Sequence, residues 1–305
     1  MTLMKKKYLI SVVGPTAIGK TELAIRLAEH FDTEILSSDS RQFFKEMRIG
    51  TAVPSEEELN RVKHHFIQSR SIFEHYSVGA FEKDALSLLE EKFKTHDVML
   101  MVGGSGLYVD AVLNGLDEFP KIDPSVRQKL IAELNEKGLT HLQNRLKSID
   151  PEAFQRIDIQ NGQRVIRALE ISEGTGRPFS SFWLNTKKKR DFEAIKIGLH
   201  AQRELVYDRI NRRVDAMMEQ GLLEEARGLY PNRELNALQT VGYKELFAFF
   251  EGHLTLQEAV SEIKKNTRRF AKRQGTWFRR DNEITWFEHD EDFSKIIEFL
   301  ESRMT

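Results

Sequence analysis

Residues 8–31 read YLISVVGPTAIGKTELAIRLAEHF: an apolar run, a loop bounded by glycines and an amphipathic segment. The run 8–13 predicts a buried strand, and Leu23, Leu27 and Phe31, spaced four residues apart, predict a helix over 20–31. The loop between them fits the phosphate-binding spacing G-x-x-x-x-G-K-[ST] at Gly14, Gly19, Lys20 and Thr21. Loop N–H groups, a helix N-terminus and a lysine charge all attract anions. We therefore expect this stretch to bind a phosphate group.

Further strand and helix patterns alternate along the first part of the chain. TEILSSDS (33–40), VMLMV (98–102) and AIKIGLH (194–200) predict strands, and an amphipathic helix is predicted over 79–96. We expect this helix to face the protein interior with Ala85, Leu86, Leu89 and Phe93. Alternating helices and continuously apolar strands are typical of a parallel sheet covered on both faces. We predict an α/β fold with a P-loop NTPase-like parallel sheet core flanked by helices.

The pattern changes near Pro120, after which helical segments continue without a buried strand up to about residue 194. Examples are SVRQKLIAELNEKG (125–138) and NGQRVIRALEISEGTG (161–176), and the second ends in glycines, as helix C-termini often do. We predict a helical insertion domain over 117–194. The core is then formed by 1–116 and by 195–305, whose last part is mostly helical.

Composition restricts the compartment and the partners. The chain has 305 residues, a net charge of −1 and 0 cysteines. Disulfides, thiol catalysis and cysteine-ligated zinc are excluded, and we expect a cytoplasmic protein. The N-terminal apolar stretch 8–13 is too short for a signal peptide core, and no run approaches the ~20 apolar residues of a membrane span. We expect no membrane partner, and nucleic-acid binding can be argued only from local charge.

A nucleotide-hydrolysing enzyme with this loop needs an acid at the end of a buried strand. The strand 98–102 ends in Gly103 and Gly104, and the strand 194–200 ends in His200. Only the second strand supplies a carboxylate, Asp39 in SSDSRQ. Carboxyl ends of parallel strands form the ligand crevice, so Asp39 should face the phosphate loop. Two interpretations of Asp39 remain equally open. It either ligates Mg²⁺ or caps a helix, or it accepts a proton.

A basic segment lies near the C-terminus. KKNTRRFAKRQGTWFRR (264–280) contains eight basic residues interleaved with aromatic ones, and on a helix Lys265, Arg268, Arg269 and Lys272 would share a face. The segment suits a track for RNA phosphates. A solvated helix with a buried aromatic stripe is the slightly favoured alternative from these residues alone.

Two other functions fit parts of the pattern. A small-molecule P-loop kinase can also carry an acid after the second strand, and it ranks first on the residues alone. A non-enzymatic RNA-binding protein with a degenerate loop is the other alternative. Intact Lys20, Thr21 and Asp39 argue against the latter.

Together the motifs resemble one family, the tRNA dimethylallyltransferases (tRNA isopentenyltransferases), of the bacterial type that lacks a zinc-finger extension. The resemblance covers nearly the whole chain and departs from the family pattern at Ile18, usually serine, and Ser105, commonly threonine. Neither departure removes a charge or a backbone donor. The motifs are GPTAIGKT, DSRQ followed by IGTAVP, VGGSGLY, QRVIRALE, GTGRP, RINRRVDAMMEQGLLEEA, VGYKE and AKRQGTWFR.

The resemblance implies transfer of a dimethylallyl group from its diphosphate to N6 of the adenosine 3′ of the anticodon. The partners are then dimethylallyl diphosphate and the tRNA anticodon arm, the cofactor is Mg²⁺, and we expect a monomer. The bond to carbon breaks, rather than a bond to phosphorus, so no acid is needed to position water. That would explain why the strand ending at Gly103 carries none.

The resemblance also implies roles for individual residues. Asp39 accepts the proton of the adenine amine, Arg213 and Lys20 face the diphosphate, and Thr21 holds the metal. The diphosphate-binding residues are Gly14, Pro15, Thr16, Ala17, Ile18, Gly19, Lys20 and Thr21. The tRNA-binding residues are Asp39, Ser40, Arg41, Gln42, Ser105, Arg127, Gln163, Arg164, Val165, Ile166 and Arg167.

Overall fold

A computed structural model of the protein describes residues 6–183 and 186–304. Its contacts divide the chain into two units, one formed by Met1–Asn114 with Lys189–Thr305 and the other by Gly115–Lys188. The sequence-based boundaries lay at 117 and 194. Arg190 belongs to the first unit because its guanidinium donates to the carbonyls of Ala111 and Val112 and pairs with Glu82.

A parallel six-stranded sheet forms the centre of the first unit. The strands are β1 (Tyr8–Val13), β2 (Ile35–Ser37), β3 (His64–His65), β4 (Val98–Val102), β5 (Glu193–His200) and β6 (Thr285–Glu288). Their spatial order is β3–β2–β4–β1–β5–β6, and every pairing is parallel. The predicted fold class is therefore confirmed.

Helices flank this sheet on both faces. In the first part of the unit they are α1 (Lys20–His30), α2 (Glu56–Arg61), α3 (Val78–Lys92) and α4 (Gly106–Asn114). After the second unit come α9 (Arg203–Glu219), α10 (Leu222–Leu229), α11 (Tyr243–Phe250), α12 (Leu256–Phe278) and α13 (Phe293–Arg303).

All six residues of the central strand β1 are buried, because each face of the sheet is covered. Ile10 and Val12 pack into the core that includes α1, whereas Leu9 and Val13 pack with α3 and α4. A third core joins α9, α10, α11 and the first part of α12 around the fully buried Tyr243. The continuous apolar run in the sequence thus reports burial on two faces.

The second unit is helical. It contains α5 (Pro124–Lys137), α6 (Leu139–Ile149), α7 (Pro151–Arg156), α8 (Gly162–Thr175) and a 3-10 turn at Phe179–Phe182. Leu130, Leu142, Leu146 and Leu169 form its core. Asn161 caps α8 by accepting from two backbone N–H groups, and Gly176 ends it in the left-handed conformation.

Within residues 6–183 and 186–304, no helix combines the length and the apolar character required to cross a bilayer.

Candidate active site

The loop from Gly14 to Gly19 connects β1 to α1 at the carboxyl edge of the sheet. Gly14 adopts φ +141°, and a Cβ there would lie 2.7 Å from the Leu199 carbonyl oxygen, so only glycine fits. Gly19 is the N-cap of α1, with φ +110° and no side-chain cap. The first N–H groups of α1 are therefore uncapped by a side chain and suited to an anion.

Two members of the loop use their backbone internally. The Pro15 carbonyl accepts from Lys20 Nζ at 2.8 Å, and the Thr16 N–H donates to Gln274 Oε1 at 2.8 Å. The expected diphosphate contacts of this loop therefore rest on its other backbone N–H groups. Proline has no N–H, and the Thr16 N–H is engaged by α12.

The pKa of Lys20 lies below the ordinary value for a lysine. Burial lowers its pKa to about 8, the negative charge of Asp39 opposes this shift, and the positive charge of Arg213 adds to it. The phosphate-loop lysine, the carboxylate after β2 and the arginine of α9 therefore interact electrostatically. The structure brings together three residues that the sequence placed far apart.

Arginines of α9 contact the loop from the other side. Arg213 Nη1 donates to Thr16 Oγ1 at 3.3 Å, and Arg209 Nη1 donates to the Ile18 carbonyl at 3.2 Å. Burial lowers the pKa of Arg213, and the charges of Glu58 and Asp39 raise it. The sequence-based prediction included Arg213 but missed Arg209, four residues earlier and therefore on the same face of the helix.

Asp39 lies just beyond β2 in a tight turn. Its Oδ1 accepts from the Arg41 N–H at 3.0 Å, and its own N–H donates to Ser37 Oγ at 3.4 Å. Ser40, the next residue, donates its N–H to Ser105 Oγ at 3.1 Å, and the two hydroxyls also bond at 3.1 Å. The segment that bears Asp39 is thereby tied to the turn after β4.

Two cavities meet at Asp39. One has a volume of about 670 Å³ and is lined by the phosphate loop, Lys20 and Thr21. The other, of about 570 Å³, is lined by Ser105 and by the aromatic side chains of Tyr108, Phe270 and Trp277. Both cavities are lined by Thr16, Asp39, Thr51, Ala52, Gly104, Arg213 and Met217. The site thus has one side formed by the phosphate loop and another with aromatic side chains, and Asp39 lines both.

The side chains of Arg41 and Gln42 form hydrogen bonds with backbone carbonyls near this site. Arg41 Nη1 donates to the carbonyls of Asn236 and Ala237, each at 2.9 Å. Gln42 Nε2 donates to the carbonyls of Thr51 and Ala52, and Gln42 Oε1 accepts from Ser37. Both residues were expected to bind tRNA, and the structure shows their side-chain polar groups hydrogen-bonded to the protein.

The loop that carries Thr51 and Ala52 is held by Glu225 of α10. One carboxylate oxygen accepts the N–H groups of Arg48 and Ile49, at 3.0 and 2.8 Å. The other accepts the Gly50 N–H at 2.9 Å and the Tyr243 hydroxyl at 2.6 Å. Glu225 and Tyr243 lie in two of the family motifs, RINRRVDAMMEQGLLEEA and VGYKE, but neither residue was predicted to belong to the site.

The expected RNA contacts of the second unit fall into two groups. Arg127 and Arg167 both pair with the buried Glu170, and Arg127 also bonds to Gln163. Val165 and Ile166 are 0% exposed and belong to the core of this unit. Buried side chains cannot touch RNA, so we limit the expected contact to the polar residues and exclude the side chains of these two.

The basic segment 264–280 forms the C-terminal part of α12 and the turn after it. Lys264 and Lys265 pair with Asp215 and Glu262, and Arg268 bonds to Asn211. Over the described residues, five other cations of this segment form no ion pair, and one of them, the exposed Arg269, bonds to Asn266. The remaining four are the exposed Lys272, Arg273, Arg279 and Arg280.

The described ranges 6–183 and 186–304 contain no group of three or more His, Cys, Asp or Glu side chains arranged to hold a metal. The cavity at the phosphate loop is lined by oxygen donors that include the Thr21 hydroxyl and the Asp39 carboxylate. Mg²⁺ commonly keeps several waters and takes few protein ligands beside substrate phosphates. This donor set fits such an ion bound together with a diphosphate.

Comparison with known proteins identifies the family. The IPP transferase family model matches residues 42–281. A tRNA dimethylallyltransferase of Christiangramia forsetii is 60% identical over 297 residues, 97% of this chain and 98% of the relative. A protein of the same name from Flavobacterium johnsoniae is 57% identical over 300 residues, 96% of this chain and 97% of the relative.

Solved structures agree with these sequence matches. The full-length tRNA isopentenylpyrophosphate transferase of Bacillus halodurans has a TM-score of 0.73 and 39% identity, covering 98% of this chain and 97% of that one. A eukaryotic dimethylallyltransferase acting on tRNA has a TM-score of 0.76 and 25% identity, covering 97% of this chain and 77% of that one. The resemblance drawn from the motifs is confirmed, and the chain belongs to the IPP transferase family, together with the tRNA dimethylallyltransferases.

Proposed function

We propose that this chain transfers a dimethylallyl group from dimethylallyl diphosphate to N6 of the adenosine 3′ of the anticodon in tRNA, releasing diphosphate. The observation that carries the proposal is the junction of an anion-binding cavity and an aromatic cavity at Asp39. The relatives named tRNA dimethylallyltransferase and the solved relative described as acting on tRNA support it.

The diphosphate occupies the cavity of the phosphate loop. Uncapped N–H groups at the start of α1, Lys20 and Arg213 stabilise the negative charge that grows on the leaving group. The loop then serves a leaving diphosphate rather than a phosphoryl group under attack. A cleavage at carbon has no use for an acid after β4, where Gly103 and Gly104 stand.

The acceptor adenine occupies the second cavity, where Tyr108, Phe270 and Trp277 offer aromatic surfaces. An adenine of a stacked anticodon loop must be extruded to reach it. The N6 lone pair forms the new C–N bond, the C–O bond of the donor breaks, and its electron pair leaves with the diphosphate. Asp39 takes the proton that the amine releases.

Mg²⁺ is the proposed cofactor, with the Thr21 hydroxyl as its protein ligand beside the diphosphate oxygens. When bound, the ion would neutralise part of the charge on the leaving group. Lys20 and Arg213 contribute the fixed positive charge that the chain itself supplies.

The helical unit 115–188 and the basic part of α12 are the proposed RNA-binding elements. Arg127, Gln163, Arg164 and Arg167 supply the contacts of the first element. Lys272 and Arg273, which have no acidic partner among the described residues, supply contacts of the second. Because a single chain lines both cavities, we propose that a monomer is sufficient for the reaction.

Incubation with unmodified tRNA, Mg²⁺ and dimethylallyl diphosphate labelled in the prenyl group tests the proposal. Label is expected in the anticodon loop. A parallel reaction with γ-labelled ATP and no tRNA tests the kinase alternative. Transfer of the ATP label to a small molecule, without prenylation of tRNA, would refute the transferase proposal.

A further inference from the structure

The strongest unassigned feature of the site is the buried carboxamide of Gln274. This α12 side chain is only 5% exposed. Its Oε1 accepts the Thr16 N–H at 2.8 Å, and its Nε2 donates to the Gly104 carbonyl at 3.0 Å. Thr16 follows β1 and Gly104 follows β4, and these strands are neighbours in the sheet. One side chain of α12, a helix distant in sequence, thus bridges the two loops that follow β1 and β4.

The bridge fits without spare room. A Cβ built on Gly104 would lie 2.1 Å from Gln274 Nε2, so the amide group occupies the space a larger residue would need. Both polar ends of the carboxamide are satisfied, as burial requires. An apolar residue in its place would leave the Thr16 N–H and the Gly104 carbonyl without this partner.

Each end of the bridge leads to a reacting group of the proposed mechanism. On one side, Thr16 Oγ1 accepts from Arg213, which faces the diphosphate. On the other, Ser105 follows Gly104 and bonds to Ser40, the neighbour of Asp39. The distance between the phosphate loop and the Asp39 carboxylate therefore depends on Gln274.

We propose that Gln274 is a positioning residue of the transfer reaction, setting the distance between the phosphate loop and the segment that bears Asp39. This inference rests on the proposed function. Gln274 acts through Thr16 and Gly104, neither of which forms or breaks a bond. Its neighbours Lys272 and Arg273 lie exposed on the same turn of α12. The helix that is proposed to contact RNA therefore also aligns the loops that contain Thr16 and Gly104.

The test uses Gln274→Met, which keeps the length of the side chain but removes both hydrogen bonds. We expect kcat for prenyl transfer to fall about 10- to 100-fold, the usual loss when reacting groups are misaligned by roughly 1 Å. The dissociation constants for tRNA and for magnesium pyrophosphate should change less than about threefold, because the residues proposed to bind them remain. Gln257→Met, an exposed change of the same type near the start of α12, should leave kcat unchanged.

A double-mutant cycle separates positioning from general destabilisation. Gly104→Ala should displace the same carboxamide and lower kcat, and combining it with Gln274→Met should add little further loss. Wild-type protein that prenylates tRNA, with an unchanged kcat in Gln274→Met, would overturn this inference alone. A fall in kcat that merely tracks lost tRNA affinity or a lowered unfolding midpoint, or additive losses in the cycle, would overturn it too. Wild-type protein that transfers no prenyl group would instead contradict the proposed function.

Discussion

At the scale of single residues, the site depends on charges placed at the edge of the sheet. Asp39 lines both cavities, and its negative charge acts on Lys20 and on Arg213. The sequence alone left the role of Asp39 open between metal ligation or capping and proton acceptance. Its position on the wall of the aromatic cavity favours acceptance, because the acceptor amine is proposed to lie there.

Replacing Asp39 with asparagine tests this role with the smallest change of shape. Asparagine keeps an oxygen for the Arg41 N–H but accepts a proton poorly. We expect kcat to fall by about 10²- to 10⁴-fold while the dissociation constant for tRNA stays nearly constant. Undiminished single-turnover transfer in Asp39→Asn would rule the carboxylate out as the proton acceptor.

The low pKa of Lys20 predicts a pH dependence for diphosphate binding. Lys20 is charged below its pKa of about 8 and neutral above it, so pyrophosphate affinity of the free enzyme should decline as the pH rises through about 8. Calorimetric titrations at a series of pH values measure the effect. Lys20→Arg stays charged throughout and shows the ligand's own titration. Identical pH profiles for the two proteins would contradict the assignment.

At the scale of elements, helices distant in sequence shape the loops of the site. The loop at 48–53 takes its form from the Glu225 carboxylate, which accepts three successive backbone N–H groups and the Tyr243 hydroxyl. Burial beside Glu225 raises the pKa of Tyr243 well above its usual range, so the phenol remains a donor. A wall shared by both cavities is therefore set by α10 and α11.

Glu225→Gln should destabilise the loop at 48–53, because the amide nitrogen of glutamine would face backbone N–H donors. We expect a loss of about 1–3 kcal/mol in the free energy of unfolding and a lower kcat/KM for both substrates. Denaturant titration and steady-state kinetics measure the two effects. The adjacent Glu224 is exposed, so Glu224→Gln is the matched control. Equal behaviour of the two variants would show that the loop does not need the Glu225 carboxylate.

The basic part of α12 makes a prediction about salt. Lys272 and Arg273 lack acidic partners among the described residues, whereas Lys264 is paired with Asp215. Neutralising Lys272 and Arg273 should weaken tRNA binding and reduce the slope of log affinity against log salt by about one for each RNA phosphate that is no longer neutralised. Lys264→Gln should change the slope less. An unaltered slope in the double variant would remove these cations from the RNA interface.

At the scale of the whole molecule, the sequence predicted the fold class well because its signals are local. The phosphate loop, the apolar strands and the amphipathic helices each occupy a continuous stretch. The edge strands β3 and β6 were missed, since two and four residues show little periodicity. The partners of Arg41 and Thr16 could not be foreseen either, as they lie 195 or more positions away along the chain.

In the proposed reaction, diphosphate leaves as a prenyl group joins the tRNA adenine at N6. Measuring both products of one reaction tests it most directly: diphosphate released, and modified nucleoside recovered after digestion of the tRNA. We expect one N6-dimethylallyladenosine, from the position 3′ of the anticodon, for each diphosphate released. Diphosphate released without a prenylated nucleoside, or a prenyl group attached at another atom, would contradict it.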